Sequence, residues 1–437
     1  MTVHTKNEAL MCKVFPSNLE PVAMRWFDGL RLQPSLSLSL SLSLSHIDNM
    51  EAHKLRGVMY GLAVVVPVIM LLQNLVLGAT DECVYSGIIN LGDSNSDTGG
   101  SSAAFGQAPY PHGETFFHAP VGRLCDGRLI IDFIAESLGL PYLNAFLDAV
   151  GSNFTHGVNF ATAGSIILPQ TRTLKQSGFS PISLDVQWAQ FNDFHRRTQI
   201  FCQKESIFQE LLPKPELFSR ALYTIDIGQN DSTSSLFLNK STDQVKAVVP
   251  VIMDQFKNIV KDIYGQGERS FWIHNTGPVG CLAYVLVRLP VEAEQLDHFG
   301  CATPFNDLAQ HFNSKLKEAV VLLRKDLPLA AFTYVDVYSV KYNLFTQTKK
   351  LGFKESLKTC CGYGGKLNYD KDVVCGATKK VKGKEVLVAK ACKDPSVWIN
   401  WDGFHYTEAA NKYVFDQIVG GSFSDPPIPV KLACHRH

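Results

Sequence analysis

From Tyr85 onward, short β-rich apolar runs alternate with longer stretches whose apolar residues recur every three to four positions. The runs are SGIINL (86–91), ALYTIDI (221–227), SFWIHNT (270–276) and AAFTYVDVY (330–338), and each has the length of a buried strand. Between them, residues 129–139, 245–267 and 305–327 carry the helical period. Strands that alternate with helices predict an α/β domain with a mainly parallel central sheet, whose sites lie at the carboxyl ends of the strands. No Pro-, Gly- or Ser-rich linker and no repeat interrupts this part, so residues 80–437 are expected to form one domain.

The chain ahead of that domain has a different character. An apolar stretch runs from Val58 to about Gly78 behind the cationic residues Lys54 and Arg56, which is the layout of a secretory signal. Pro67, Gln73 and Asn74 interrupt it, and the small residues Gly78 and Ala79 suit cleavage, so export without a retained anchor is expected. Signals begin near a chain start, yet about fifty residues precede this one, including the alternating Ser-Leu run from Ser35 to Ser45. Such a run is what a repeated dinucleotide yields on translation. Residues 1–49 are therefore read as leader, Met50 as the natural start, and 50–79 as the signal.

Cysteine and sequon usage agree with an exported chain. Setting aside Cys12 leaves ten cysteines, an even number that suggests disulfides and no free thiol. Adjacent Cys360 and Cys361 would be strained if paired together, so each should reach another partner, with Cys375 and Cys392 the nearest. Residues 357–396, rich in Gly and Cys, read as a disulfide-tied surface excursion. Asn153 and Asn239 stand in glycosylation sequons. Lys plus Arg and Asp plus Glu number 41 each, so no net field favours nucleic acid.

Four motifs fall at or near the predicted strand ends. LGDSNSDTGG places Ser94 directly after the first strand, where a turn exposes its hydroxyl. GVNFATAGS (157–165) contains Gly164, which lets a backbone N–H approach a ligand closely. DIGQND offers the Asn230 amide as a donor. NWDGFHYTEAAN sets Asp402 and His405 three apart before an Ala-rich helix, a spacing at which the carboxylate can fix the imidazole tautomer. Alone, each motif has an ordinary turn or capping use; together they supply a nucleophile, a base, an orienting carboxylate and oxyanion donors. His112 and the cluster His435 to His437 lack ligand spacing and read as surface residues.

In order and context these motifs, with HNTGPVGC (274–281), CCGYGG (360–365) and DPSVWINWDGFHYTEAAN (394–411), resemble the plant-type GDSL esterase/lipase family of SGNH hydrolases, from about Cys83 to the C-terminus. The resemblance implies a flavodoxin-like three-layer α/β/α sandwich. It also implies Ser94 as nucleophile, His405 as base, Asp402 as its orienter, and an oxyanion hole from the Ser94 N–H, Gly164 and Asn230. Leu91 stands where Phe is usual in the family and Ala283 where Pro often does, and neither change touches a catalytic atom. The G-x-S-x-G elbow of α/β-hydrolases is absent. An exported ester hydrolase acting on small-molecule or carbohydrate esters, without metal or organic cofactor, is thus expected. The alternatives are a fucosidase-like glycosidase, for which no paired-carboxylate motif is present, and a non-catalytic carbohydrate-binding or defence protein. Although Asn230-Asp231-Ser232 is also a sequon, a glycan there would block the site, so Asn230 is expected to be unmodified.

Overall fold

A computed structural model describes residues 82–170, 179–203 and 207–435. The expected leader and signal segments, Cys12, Arg436 and His437 lie outside the described residues. Ten strands are present among the described residues: β1 (Gly87–Gly92), β2 (Gly157–Asn159), β3 (Ala221–Asp226), β4 (Ser270–His274), β5 (Ala331–Val335), β6 (Glu355–Thr359), β7 (Thr378–Val381), β8 (Lys384–Leu387), β9 (Trp398–Asn400) and β10 (Ser424–Asp425). Six form the central sheet in the order β10-β5-β4-β3-β1-β2, with β10 antiparallel to β5 and all other pairs parallel. The run 2-1-3-4-5 is the flavodoxin order, and its switch point lies where β1 meets β3.

The principal helices are α1 (Ile130–Ser137), α2 (Leu184–Cys202), α3 (Gln229–Ser234), α4 (Val249–Gly265), α5 (Thr303–Asp326), α6 (Val337–Thr346) and α7 (Glu408–Ile418). Successive side chains of a strand point to opposite faces, and β1 shows the result: Ile88 joins one core and Ile89 the other. The first core packs Leu222 and Trp272 against Phe133 of α1, Val340 of α6 and Val414 of α7. The second packs Tyr223 and Phe271 against Phe191 of α2, Phe256 of α4 and Leu316 of α5. Because both faces are covered, β1 is buried along its whole length and reads as a nearly continuous apolar run. The expected three-layer α/β/α arrangement is what the chain adopts.

Differences from the sequence expectations have local causes. The helix expected over 245–267 is two, Thr242–Lys246 and α4, because Pro250 lacks an N–H and sits in the first turn of α4. Residues 357–396 are not merely a surface excursion. Their hairpin β7–β8 is almost wholly exposed, but Cys360, Cys361 and Cys375 are buried, and β6 pairs with β9 beside the candidate site. The disulfides are Cys83–Cys434, Cys281–Cys301, Cys360–Cys392 and Cys361–Cys375. Cys360 and Cys361 thus reach the two partners considered nearest. Full pairing of the ten cysteines is overturned, since Cys125 and Cys202 are free thiols. No helix among the described residues is long and apolar enough to cross a membrane.

Candidate active site

Ser94 lies two residues beyond β1, at the switch point. Gly92 permits this turn, because a Cβ there would stand 2.5 Å from both the Asp226 carbonyl oxygen and Ser96 Oγ. The Gln187 side chain fastens the strand end from α2, accepting the Gly92 N–H at 2.9 Å and donating to the Gly92 carbonyl at 2.8 Å. The Asp93 N–H donates to the Asp226 carbonyl at 3.0 Å and ties the turn to β3. Buried Asp97 then accepts the N–H groups of Gly99, Gly100, Ser101 and Ala163, which joins the Ser94 loop to the loop carrying Gly164. Gly164 has φ +80°, and a Cβ would meet the Ser180 nitrogen at 3.0 Å, so only glycine suits this position.

Ser94, Gly164, Asn230 and His405 line one cavity of about 260 Å³, together with Phe179, Phe237, Tyr284 and Phe404. Asn230 opens α3 just past β3, and its Nδ2 donates to the Ser165 carbonyl at 3.1 Å and to Asp93 Oδ2 at 3.3 Å. Asp402 stands behind the imidazole. Its Oδ1 accepts the Phe404 and His405 N–H groups, each at 2.9 Å, and its Oδ2 lies 2.7 Å from His405 Nδ1. Gly403 completes this turn with φ +99°, where a Cβ would lie 2.5 Å from the Tyr369 ring. An ionised Asp402 is acceptor-only, so His405 carries its proton on Nδ1 and keeps the Nε2 lone pair. Burial pushes the Asp402 pKa up, but its interactions with His405 and His112, hydrogen bonds included, outweigh it and hold the group below the ordinary carboxylate range. Ser94 and His405 are not hydrogen-bonded among the described residues; such bonds are often long without substrate and tighten when it binds.

His112 is a correction to the surface assignment. It is only 4% exposed, its Nδ1 lies 2.7 Å from the Pro109 carbonyl oxygen, and its Nε2 is 3.8 Å from Asp402 Oδ2. It therefore stands against the same Asp402 oxygen that faces His405 Nδ1. Spacing gave no sign of it, because it approaches from a loop near the other end of the domain's sequence.

A second polar layer missed from the sequence lies next to Ser94. Asp93 is fully buried, and burial, followed by the nearby Asp226 charge, pushes its pKa up to about 7 despite two hydrogen bonds from Asn95 and the positive charge of Lys341. Burial also raises Asp226, yet the hydrogen bond from His274 and the Lys341 charge leave it below its ordinary value. The Trp272 indole donates to His274 Nε2 at 3.1 Å, which leaves Nδ1–H to donate to Asp226 at 3.0 Å. Lys341 is itself buried, with its ammonium 4.8 Å from the Tyr406 ring centre, and burial lowers its pKa against the pull of both aspartates.

Residues 88–418 match the family model described as GDSL-like lipase/acylhydrolase. A GDSL esterase/lipase of Arabidopsis thaliana is 59% identical over 355 residues, covering 81% of this chain and 93% of the relative. An Arabidopsis protein named alpha-L-fucosidase 3 is also 59% identical, over 340 residues, covering 78% of this chain and 91% of its own. A Zea mays GDSL esterase/lipase is 56% identical over 360 residues, covering 82% and 91% respectively. Those matches extend over nearly the whole of the domain that holds Ser94, Asn230, Asp402 and His405, and the chain belongs to the GDSL esterase/lipase family of carboxylic ester hydrolases.

Proposed function

We propose that this chain is an exported serine esterase in which Ser94 attacks the ester carbonyl while His405 Nε2 takes its proton. The Ser94 and Gly164 N–H groups and the Asn230 amide receive the oxyanion. The alcohol leaves with the proton from His405, and a water activated by the same imidazole hydrolyses the acyl-enzyme. One observation carries this reading: Ser94, Gly164, Asn230 and His405 face one cavity with Asp402 hydrogen-bonded behind the imidazole.

The cavity is at the small end for ligand sites, which favours short acyl groups, such as acetyl esters of glycosides or wall sugars, over long lipid chains. Four disulfides fit an oxidising destination and support export to the extracellular space. A glycosidase gains no support from the geometry, although one relative carries a fucosidase name. No Asp or Glu is among the cavity-lining residues described, whereas glycosidases need two carboxylates flanking the sugar.

Capture of an active-serine phosphonate at Ser94, combined with p-nitrophenyl esters of graded chain length, tests the reading. Ser94→Ala should lose several orders of magnitude in kcat with its fold intact, because triad members act as a unit. A folded Ser94→Ala protein that turns over near the wild-type rate would overturn it.

A further inference from the structure

The cavity has two unlike walls. One carries Gly164, with Phe179 beside it. The other is aromatic and is built on the histidine turn: Tyr284 stacks on Phe404 with ring centres 4.3 Å apart, and its N–H donates to the Gly403 carbonyl at 3.2 Å. Phe237 lies 5.6 Å from Tyr284, and the Arg288 guanidinium sits 4.2 Å from the Phe237 ring centre. Arg288 ends the short helix Ala283–Arg288, is exposed at the cavity mouth, and also interacts with the Tyr369 hydroxyl.

Its charge is not neutralised as others are. Arg123 pairs with Asp132, Arg128 with Glu408 and Arg324 with Asp425. Arg288 has no carboxylate within ion-pair distance among the described residues, and the cavity lining offers none. An aromatic face and a tyrosine hydroxyl thus hold a guanidinium on the cavity that Ser94 also lines, with donors left for a ligand. The imidazole that hands its proton to the leaving oxygen stands on this same wall, so the alcohol part of the ester falls here.

We infer that Arg288 is a specificity residue that recognises a carboxylate on the alcohol part of the substrate, so that the preferred substrates are esters of hydroxy acids, sugar acids included. This inference rests on the proposed serine-esterase mechanism and narrows its substrate class. A guanidinium binds a carboxylate through two parallel N–H bonds and gives a neutral ester no such contact.

The test uses a matched pair with one acyl group, 4-acetoxybenzoate and its methyl ester, with p-nitrophenyl acetate as a reference. The ratio of kcat/KM for the charged over the neutral ester should fall about tenfold in Arg288→Gln, mainly through KM, the scale of one charge-assisted hydrogen bond at a partly exposed site. Arg288→Lys should retain part of the preference and Arg288→Glu should reverse it. The wild-type ratio should shrink as salt rises from about 0.05 to about 0.5 M. A ratio that is the same in wild type, Arg288→Gln and Arg288→Glu would overturn the inference. So would a wild-type enzyme that cleaves p-nitrophenyl acetate but prefers the methyl ester. Failure of the mechanism itself would look different, with neither p-nitrophenyl acetate turnover nor phosphonate capture at Ser94, and would remove both.

Discussion

Replacing Asp93 by Asn should cripple the enzyme without touching Ser94, Asp402 or His405. Asp93 Oδ1 accepts two hydrogens from Asn95, one from the backbone at 3.0 Å and one from the side chain at 2.9 Å. Those bonds oblige the introduced amide to keep its oxygen there and turn its NH2 toward Asn230. The Asn230 Nδ2, now 3.3 Å from a carboxylate oxygen, would then face another donor. Relief requires the Asn230 amide to rotate, which withdraws its N–H from the oxyanion or presents its carbonyl instead. Loss of one oxyanion donor costs about 10²- to 10³-fold in kcat, and KM should change little because the donor matters most in the transition state.

Protonation should act in the same way in the wild type. Since Oδ1 is already engaged twice, the proton adds to Oδ2 and meets the Asn230 amide. With Asp93 raised to about 7, this form accumulates as pH falls through that value, so kcat should decline on an acid limb to which Asp93 contributes. Asp93→Asn should lose the Asp93 part of that limb. Steady-state kinetics with p-nitrophenyl acetate between about pH 5 and 8, alongside thermal melts, measures both effects. A folded Asp93→Asn enzyme that keeps more than about half of wild-type kcat would refute the reasoning.

Three further outcomes are open to direct measurement. Glu268 is wholly buried, and burial raises its pKa to about 8 despite the Tyr223 hydroxyl and the Arg269 charge nearby. The folded state therefore holds a proton that the unfolded state releases near about 4.3, stability falls as pH rises from there to about 8, and Glu268→Gln should melt a few degrees higher at about pH 8 with no gain at about pH 4. Thiol titration of the processed chain should find two free cysteines, with Cys202 reacting in the native state and buried Cys125 only after unfolding; a count of zero would disprove the free pair. Glycopeptide mapping should find glycans on exposed Asn153 and Asn239 but none on Asn230, and an active preparation fully modified at Asn230 would exclude it from the oxyanion hole.

What could be read from the sequence depended on how far apart cooperating residues lie along the chain. Strand runs 86–91, 221–227, 270–276 and 330–338 were visible because burial on both faces makes each a local apolar stretch, and each lies within a few residues of an observed strand. Strand β2 was not, because three residues inside the GVNFATAGS motif carry no period. Helix α2 escaped for another reason, its buried face being mixed: Gln187 turns inward to hold the Gly92 strand end, where the helical pattern leads one to expect an apolar side chain.

The same distinction separates the two layers of the site. Ser94, Asp402 and His405 sit in short motifs whose local turn chemistry shows in the residue order, and the structure brings them together with Gly164 and Asn230 around one cavity. Asp93 was present in the first motif, yet its burial against Asp226 and Lys341 depends on β3 and α6, which arrive much later in the chain. His112 meets Asp402 only in the folded chain, from a loop ahead of α1. A charged residue's role under an active site is thus set by what the fold removes from water around it. For Lys341 that environment is two aspartates and the Tyr406 ring, and no feature of its own helix would have distinguished it from a surface lysine.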